Sequence, residues 1–352
     1  MQKTLLTTNI IRSLHGLFVV FVALGALATL AHPSTVAAAT STWNGSDWSD
    51  YLTLTIASSS IDATLTDFPV YVDLADLPSA FWSGVSDNGG DIRVMNDALT
   101  TEMPREVVSA STTLQTGELH FRADSLSSTT DTTFRIYWNG STTAAYAASD
   151  TYGAENVWTN GQKLVAHDGG GTDSSNNGFN GTANGGVSIG GAAGLLGDAT
   201  NFDGTNDYID LTTHLSSFET DSEGTISAWI LRDTTTNRDP IFTLGDTGDA
   251  DRTILELDAG SNNVRFIVRE SDTNTTALAA GDTDTTDWQH IVATHDSGDN
   301  ESTIYLDGVA ISTTTASDWF NSVSTLNSLR VGSDGRSVGG PVFADAAIDE
   351  LR

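Results

Sequence analysis

The stretch Ile304-Tyr305-Leu306-Asp307-Gly308-Val309-Ala310-Ile311 decides the class of fold. Two short apolar runs meet at Asp-Gly, the pair favoured in two-residue hairpin turns because both central residues take positive φ. Working outward, the same grammar repeats. Upstream lie runs at 288–294, 264–269, 254–257 and 225–231, with 258–263 composed as a hairpin turn. In 225–231, Ile226, Ala228 and Ile230 share one side. Downstream, 328–332 and 346–351 close the series. Nearer the N-terminus, alternation places Leu52, Leu54 and Ile56 on one face, then Phe68, Val70, Val72 and Leu74, then Leu119 and Phe121, then Phe134, Ile136 and Trp138. A period of two is the mark of half-buried strands. Thr, Ser, Gly, Asn and Asp separate the runs, and no long amphipathic helix stands out after residue 40. The expected fold is all-β, with two β-sandwich domains.

The first 39 residues stand apart. Lys3 and Arg12 precede an apolar stretch at 17–30, and small residues end at Ala37-Ala38-Ala39. This order reads as a secretory signal peptide over 1–39, cleaved before Thr40, with an uncleaved anchor as the alternative. The rest of the chain is long enough for two cores. The 352 residues carry a formal charge of −31 and no cysteine. So acidic a surface repels nucleic acid and anionic membranes, and suits solubility, divalent cations or high salt. Without cysteine there is no disulfide scaffold, thiol catalysis or thiolate metal site.

The segment Asn139-Gly140-Ser141-Thr142-Thr143-Ala144-Ala145 is small and polar, and a linker is expected over 143–156, with the domain boundary near 150. A glycine-rich stretch at 169–197 is a second low-complexity region that could be a linker, although the resemblance described below implies long loops inside the second domain.

Five ordered motifs carry a resemblance. Asn201-Phe202-Asp203-Gly204-Thr205-Asn206-Asp207-Tyr208-Ile209, Thr225-Ile226-Ser227-Ala228-Trp229-Ile230, Trp288-Gln289-His290-Ile291-Val292-Ala293, Ile304-Tyr305-Leu306-Asp307-Gly308 and Ile348-Asp349-Glu350-Leu351-Arg352 follow one another across the C-terminal half. This half resembles the laminin-G-like domains of the concanavalin A-like lectin/glucanase superfamily. The resemblance implies a jelly roll over 157–352, with 157–168 as a degenerate first strand. It also implies a chain that continues past the closing strand, so that the domain reads as truncated at Arg352.

The N-terminal half resembles the secreted domain of unknown function 2341. The residues that carry this are Leu65-Thr66-Asp67-Phe68-Pro69-Val70, Asn88-Gly89-Gly90-Asp91-Ile92-Arg93-Val94, Met103-Pro104-Arg105-Glu106 and Phe134-Arg135-Ile136-Tyr137-Trp138-Asn139-Gly140. The match implies a β-sandwich over 40–142 and no particular chemistry.

Candidate chemistry is sparse. Glycoside hydrolysis needs two carboxylates flanking the scissile bond. The glucanases of the superfamily that this half resembles carry Glu-x-Asp-x-(x)-Glu on a strand; Glu256-Leu257-Asp258 supplies its first two positions on one face, but Gly260, Ser261 and Asn262 stand where the third carboxylate belongs. The plainer reading is two solvated carboxylates before a turn. His167, His214, His290 and His295 lack a Gly-x-Ser-x-Gly elbow.

Calcium takes hard oxygen ligands from several loops. Asp203 and Asp207 in the opening loop, with Asp349 and Glu350 in the closing strand, form the candidate calcium site, because the first and last strands of a jelly roll run side by side. The alternative gives Asp203 to a turn and Asp349 to a loop cap. The acidic loop 246–251 is a second candidate.

Trp43, Trp48, Trp82, Trp158 and Trp319 have loop-like contexts and could stack on sugar rings, although packing is the commoner role. Trp229 and Trp288 read as core. The expectation is a secreted or cell-surface, non-catalytic binding protein that recognises glycan or an extracellular protein. It binds no nucleic acid and meets membrane only through an anchor not seen in the sequence. A hydrolase with its active site elsewhere and a structural envelope component remain alternatives.

Overall fold

The computed structural model describes residues 47–140, 144–248, 251–283, 287–316, 318–337 and 339–352. The expected signal peptide, Trp43 and the residues 141–143 at the start of the expected linker lie outside them. Among the described residues no helix is long and apolar enough to cross a membrane. The chain divides into two compact units, at Gly161 and Gln162.

The first unit holds β1 (Trp48–Ile56), β2 (Leu65–Asp73), β3 (Arg93–Asn96), β4 (Arg105–Ser111), β5 (Thr116–Leu126) and β6 (Thr132–Gly140), with one short helix, α1 (Ser79–Gly84). They form two three-stranded sheets, ordered β1-β6-β3 and β2-β5-β4. One core cluster takes Leu52, Leu54, Phe134 and Ile136 from one sheet and Val70, Val72, Leu119 and Phe121 from the other. The alternation in the sequence thus becomes a sandwich.

Two of the stretches that carry the resemblance of this half, 88–94 and 134–140, meet in this unit. Asp91 accepts hydrogen bonds from the Ser86 amide (2.9 Å) and hydroxyl (2.6 Å) and from the Asn139 amide (2.8 Å), tying a turn to the end of β6. Arg93, 2% exposed, lies 5.0 Å from the Trp48 ring centre and 4.4 Å from that of Tyr146. The Arg105 guanidinium lies 4.8 Å from the same Tyr146 ring centre, and Glu102 accepts from the Tyr146 hydroxyl at 3.0 Å. Tyr146 belongs to the expected linker. The described part of that segment is therefore held on the first unit by stacking and by the Arg105 amide, which donates to Tyr152 O. The division of the chain accordingly falls later than the boundary expected near 150, because two tyrosines supply contacts that the small-residue composition conceals.

The second unit begins with loops, then β7 (Thr182–Asn184), β8 (Ala192–Ala193), β9 (Asp198–Asp203), β10 (Tyr208–Asp210) and β11 (Gly224–Arg232). Next come β12 (Asp239–Gly245), β13 (Arg252–Leu257), β14 (Val264–Glu270), β15 (Thr273–Ala280) and β16 (Gln289–Asp296). The last are β17 (Glu301–Leu306), β18 (Val309–Thr315), β19 (Ser328–Val331) and β20 (Asp345–Asp349). Two seven-stranded antiparallel sheets result, ordered β15-β14-β13-β12-β19-β10-β7 and β18-β17-β16-β11-β20-β9-β8. Their facing side chains, among them Leu244, Leu255, Phe266 and Val331 against Ile226, Ile230, Ile291 and Ile348, make one core.

Asp307 and Gly308 both take positive φ, 50° and 76°, as the hairpin requires. The expected first strand at 157–168 does not form. Its trace in the ladder is a bridge between Ala166 and Leu351, and the glycine-rich region after it contributes only β7 and β8 between loops. Trp229, expected in the core, lies on the opposite face: Ile226, Ala228 and Ile230 take the inward positions, so the alternate residue points out, half-buried against His290 at 4.9 Å.

Candidate functional site

The register separates the four candidate calcium ligands. β9 and β20 do pair, as expected of first and last strands, but antiparallel, with Asp203 opposite Asp345 and Thr200 opposite Ile348. Asp349 is thus four positions from the partner of Asp203, roughly 13 Å along the strand at ~3.3 Å per residue. The acids expected to converge stand at opposite ends of the ladder.

Each also has work of its own. Asp203 closes an Asx turn on the Thr205 amide (2.9 Å). Asp207 is buried, and burial followed by the nearby Asp203 pushes its carboxyl above the ordinary value. Asp349, fully buried, accepts from the Leu195 amide (2.8 Å) and the Leu196 amide (3.0 Å). Glu350 bonds His167 Nδ1 at 2.6 Å and pairs with Arg352. Asp251 of the second acidic loop accepts from the Ser271 amide (2.6 Å) and the Thr325 hydroxyl.

The carboxylates considered for catalysis are also engaged. Glu256 is wholly buried rather than solvated, and it pairs with Arg238 and, at 3.2 Å, with Arg265. Arg265 reaches Asp258 at 2.9 Å as well. Of the histidines, His295 bonds Ser302 Oγ at 2.9 Å, but both lie inside, with Trp319 stacked on the imidazole at 5.8 Å. Trp48, Trp82, Trp158 and Trp319 are all buried, between 1% and 8% exposed, so each is a packing residue.

A different set emerges on the outward face of the sheet that contains β13 and β19. Leu255, Leu257, Phe266, Val268, Leu329 and Val331 point to the core. The alternate positions therefore turn Arg252, Glu256, Arg265, Arg269 and Arg330 the other way. Arg238 and Arg336 join them from flanking loops through Glu256 and Asp334. Six of the 15 basic residues of this acidic chain gather here.

Most are neutralised in place. Arg238 and Arg265 share Glu256, Arg336 holds Asp334 at 2.7 Å, and Arg269 meets Asp272 at 3.0 Å. Arg330 differs. Its guanidinium lies over the half-buried Tyr208 ring at 4.4 Å, and Phe343 extends that surface, 6.3 Å from Tyr208 between ring centres. Among the described residues no carboxylate pairs with Arg330, and its Nε is buried without a hydrogen-bond partner.

The surroundings of Arg330 hold more unspent polarity. Thr243 stands directly across the ladder from it, and Ser328 lies two residues before it on the same face. Both hydroxyl oxygens are buried and, among the described residues, lack a partner. Buried polar atoms left unpaired are uncommon, and each one costs stability. Sequence reasoning missed this set because it tracked carboxylates and tryptophans. The clustering of arginines at 238–336 in so acidic a chain was the available signal.

Residues 203–352 match the family model described as the concanavalin A-like lectin/glucanases superfamily. The C-terminal unit carries a concanavalin A-like domain. Its five motifs fall on β9 and β10, β11, the start of β16, the β17–β18 hairpin and the end of β20. Among solved structures, a carbohydrate-binding module of the Ruminococcus gnavus IT-sialidase bound to α2,3-sialyllactose is similar at 13% identity and a TM-score of 0.38. It covers 44% of this chain and 88% of its own. Domain 4 of the arabinanase AbnA from Geobacillus stearothermophilus, in complex with arabinotriose, is similar at 18% identity and 0.39, covering 54% and 91%. The NanB sialidase of Streptococcus pneumoniae aligns at 14% and 0.38, over 44% of this chain and 25% of its own. No curated protein matches the sequence.

Proposed function

We propose that the concanavalin A-like domain is a non-catalytic glycan-binding module of an exported protein. The observation that carries this reading is the Tyr208–Arg330 pair on the outward sheet face. The part of the Tyr208 ring that is not buried offers a platform for the apolar face of a sugar, and polar groups beside it take the hydroxyls. The match to a lectin and glucanase superfamily agrees with such a role. The non-catalytic part rests on Glu256 and Asp258, which share Arg265 and lie on one side of any bound sugar, whereas hydrolysis needs carboxylates on both sides. Export rests on the sequence of residues 1–39.

The test is retention of residues 40–352 on immobilised polysaccharides and on a glycan array, compared with Tyr208→Ala. Retention of the wild type, weakened about tenfold or more in the variant with an unchanged melting temperature, supports the reading. Failure of the wild type to bind any glycan, or equal binding by the variant, overturns it.

A further inference from the structure

Building on that reading, we infer that the sugar bound beside Tyr208 is acidic, and that Arg330 receives its carboxylate. The argument begins with charge. A chain of formal charge −31 surrounds its arginines with carboxylates, and on this face Arg238, Arg265, Arg269 and Arg336 each have one. Arg330 has none among the described residues. Its nearest acidic neighbour in the ladder is Asp210, directly opposite on β10. That carboxylate instead accepts the Thr212 amide at 2.8 Å. Arg330 is therefore left without a carboxylate at ion-pair distance among the described residues, even with Asp210 across the ladder.

The second observation is independent of charge. Thr243 Oγ1 and Ser328 Oγ flank Arg330 on the same face, buried and unpaired among the described residues. A planar carboxylate matches the guanidinium fork, and the two hydroxyls, closed to solvent, keep the surroundings of the guanidinium polar. Tyr208, stacked under the guanidinium, fixes its plane and offers the rest of its ring to the sugar carbons. A neutral sugar would use the ring but leave the cation unmatched. The chain's overall negative field opposes an anionic ligand at long range. Beyond ~10 Å at 0.1 M salt that field is screened, whereas the contact with Arg330 is not.

The experiment uses the full chain from residue 40 with two matched probes, a galacturonic acid oligomer and the same oligomer with its carboxyl groups reduced. Calorimetric titration is run with the wild type, Arg330→Gln and Arg330→Lys, after melting curves establish that each is folded. The wild type should prefer the acidic oligomer by about 10- to 100-fold, the range of a charge-assisted paired hydrogen bond. Arg330→Gln should lose that preference while keeping its weak affinity for the reduced oligomer. Arg330→Lys should keep part of it, since it retains charge but not the fork.

If the wild type binds both oligomers equally, or Arg330→Gln binds the acidic one as the wild type does, the acidic-ligand inference fails and the glycan reading stands. If the wild type binds neither these nor any neutral glycan, both fail.

Discussion

Replacing Asp349 by alanine removes a fully buried carboxylate that accepts the Leu195 and Leu196 amides at 2.8 and 3.0 Å. The turn sits hard against it: a Cβ on Gly194 would stand 2.5 Å from Oδ2. A hydrogen bond to a charged group contributes about 1.5–3 kcal/mol, so losing both costs about 3–6 kcal/mol. For a unit of about 190 residues, each kcal/mol shifts the melting temperature by about 2–4 °C, which predicts a fall of about 10 °C. Asp349→Asn keeps one neutral acceptor and should fall about half as far. Scanning calorimetry of the chain from residue 40, with 1 mM calcium or with chelator, provides the assay. The clamp predicts the same fall in both buffers. A wild-type melt raised several degrees by calcium, with the rise abolished in Asp349→Ala, would refute the reasoning and make this residue a metal ligand. So would a variant that melts with the wild type.

Two further outcomes follow from buried groups. Burial pushes the Asp239 carboxyl up to about 6, against the pull of the Asp345 amide and of Arg232 at 2.8 Å. The native state then holds a proton that the unfolded chain has released above pH ~4. Stability should therefore fall as pH rises from about 4 to 6, by about 3 kcal/mol, and level off above. Urea melts across that range should show the slope in the wild type and not in Asp239→Asn; an equal slope in both refutes it. In the first unit, a Cβ on Gly140 would lie 2.5 Å from Trp48 Nε1, which donates to Asp91 O at 2.6 Å. Gly140→Ala should cost about 1–3 kcal/mol and alter the Trp48 emission; an unchanged melting curve counts against the packing described.

Sequence alternation located the strands because burial on one face imposes a period of two, and Asp307-Gly308 located its hairpin because few other pairs accept that backbone. What resisted reading depended on register. Whether Asp203 meets Asp349 turns on strand direction, which composition does not encode. Whether Glu256 is solvated turns on two arginines that reach it from a loop and a neighbouring strand. Arg330 looked like any surface arginine until the ladder set it opposite Thr243 and over Tyr208. The tryptophans misled in the other direction: polar neighbours suggested loops, but a loop can still insert a large ring into a core, as Trp319 does between Phe266 and His295.

The bridge between Ala166 and Leu351 has a mechanical consequence. Their two backbone hydrogen bonds, 2.8 and 3.0 Å, join the segment before β7 to the residue after β20, side by side and antiparallel within the second unit. A pull applied between Gln162 and Arg352 therefore loads this bond pair across the ladder, opening it like the first tooth of a zip instead of shearing it along the strands. Under such tension the second unit should yield at low force at the 166–351 bridge, with the β9–β20 pairing next to part.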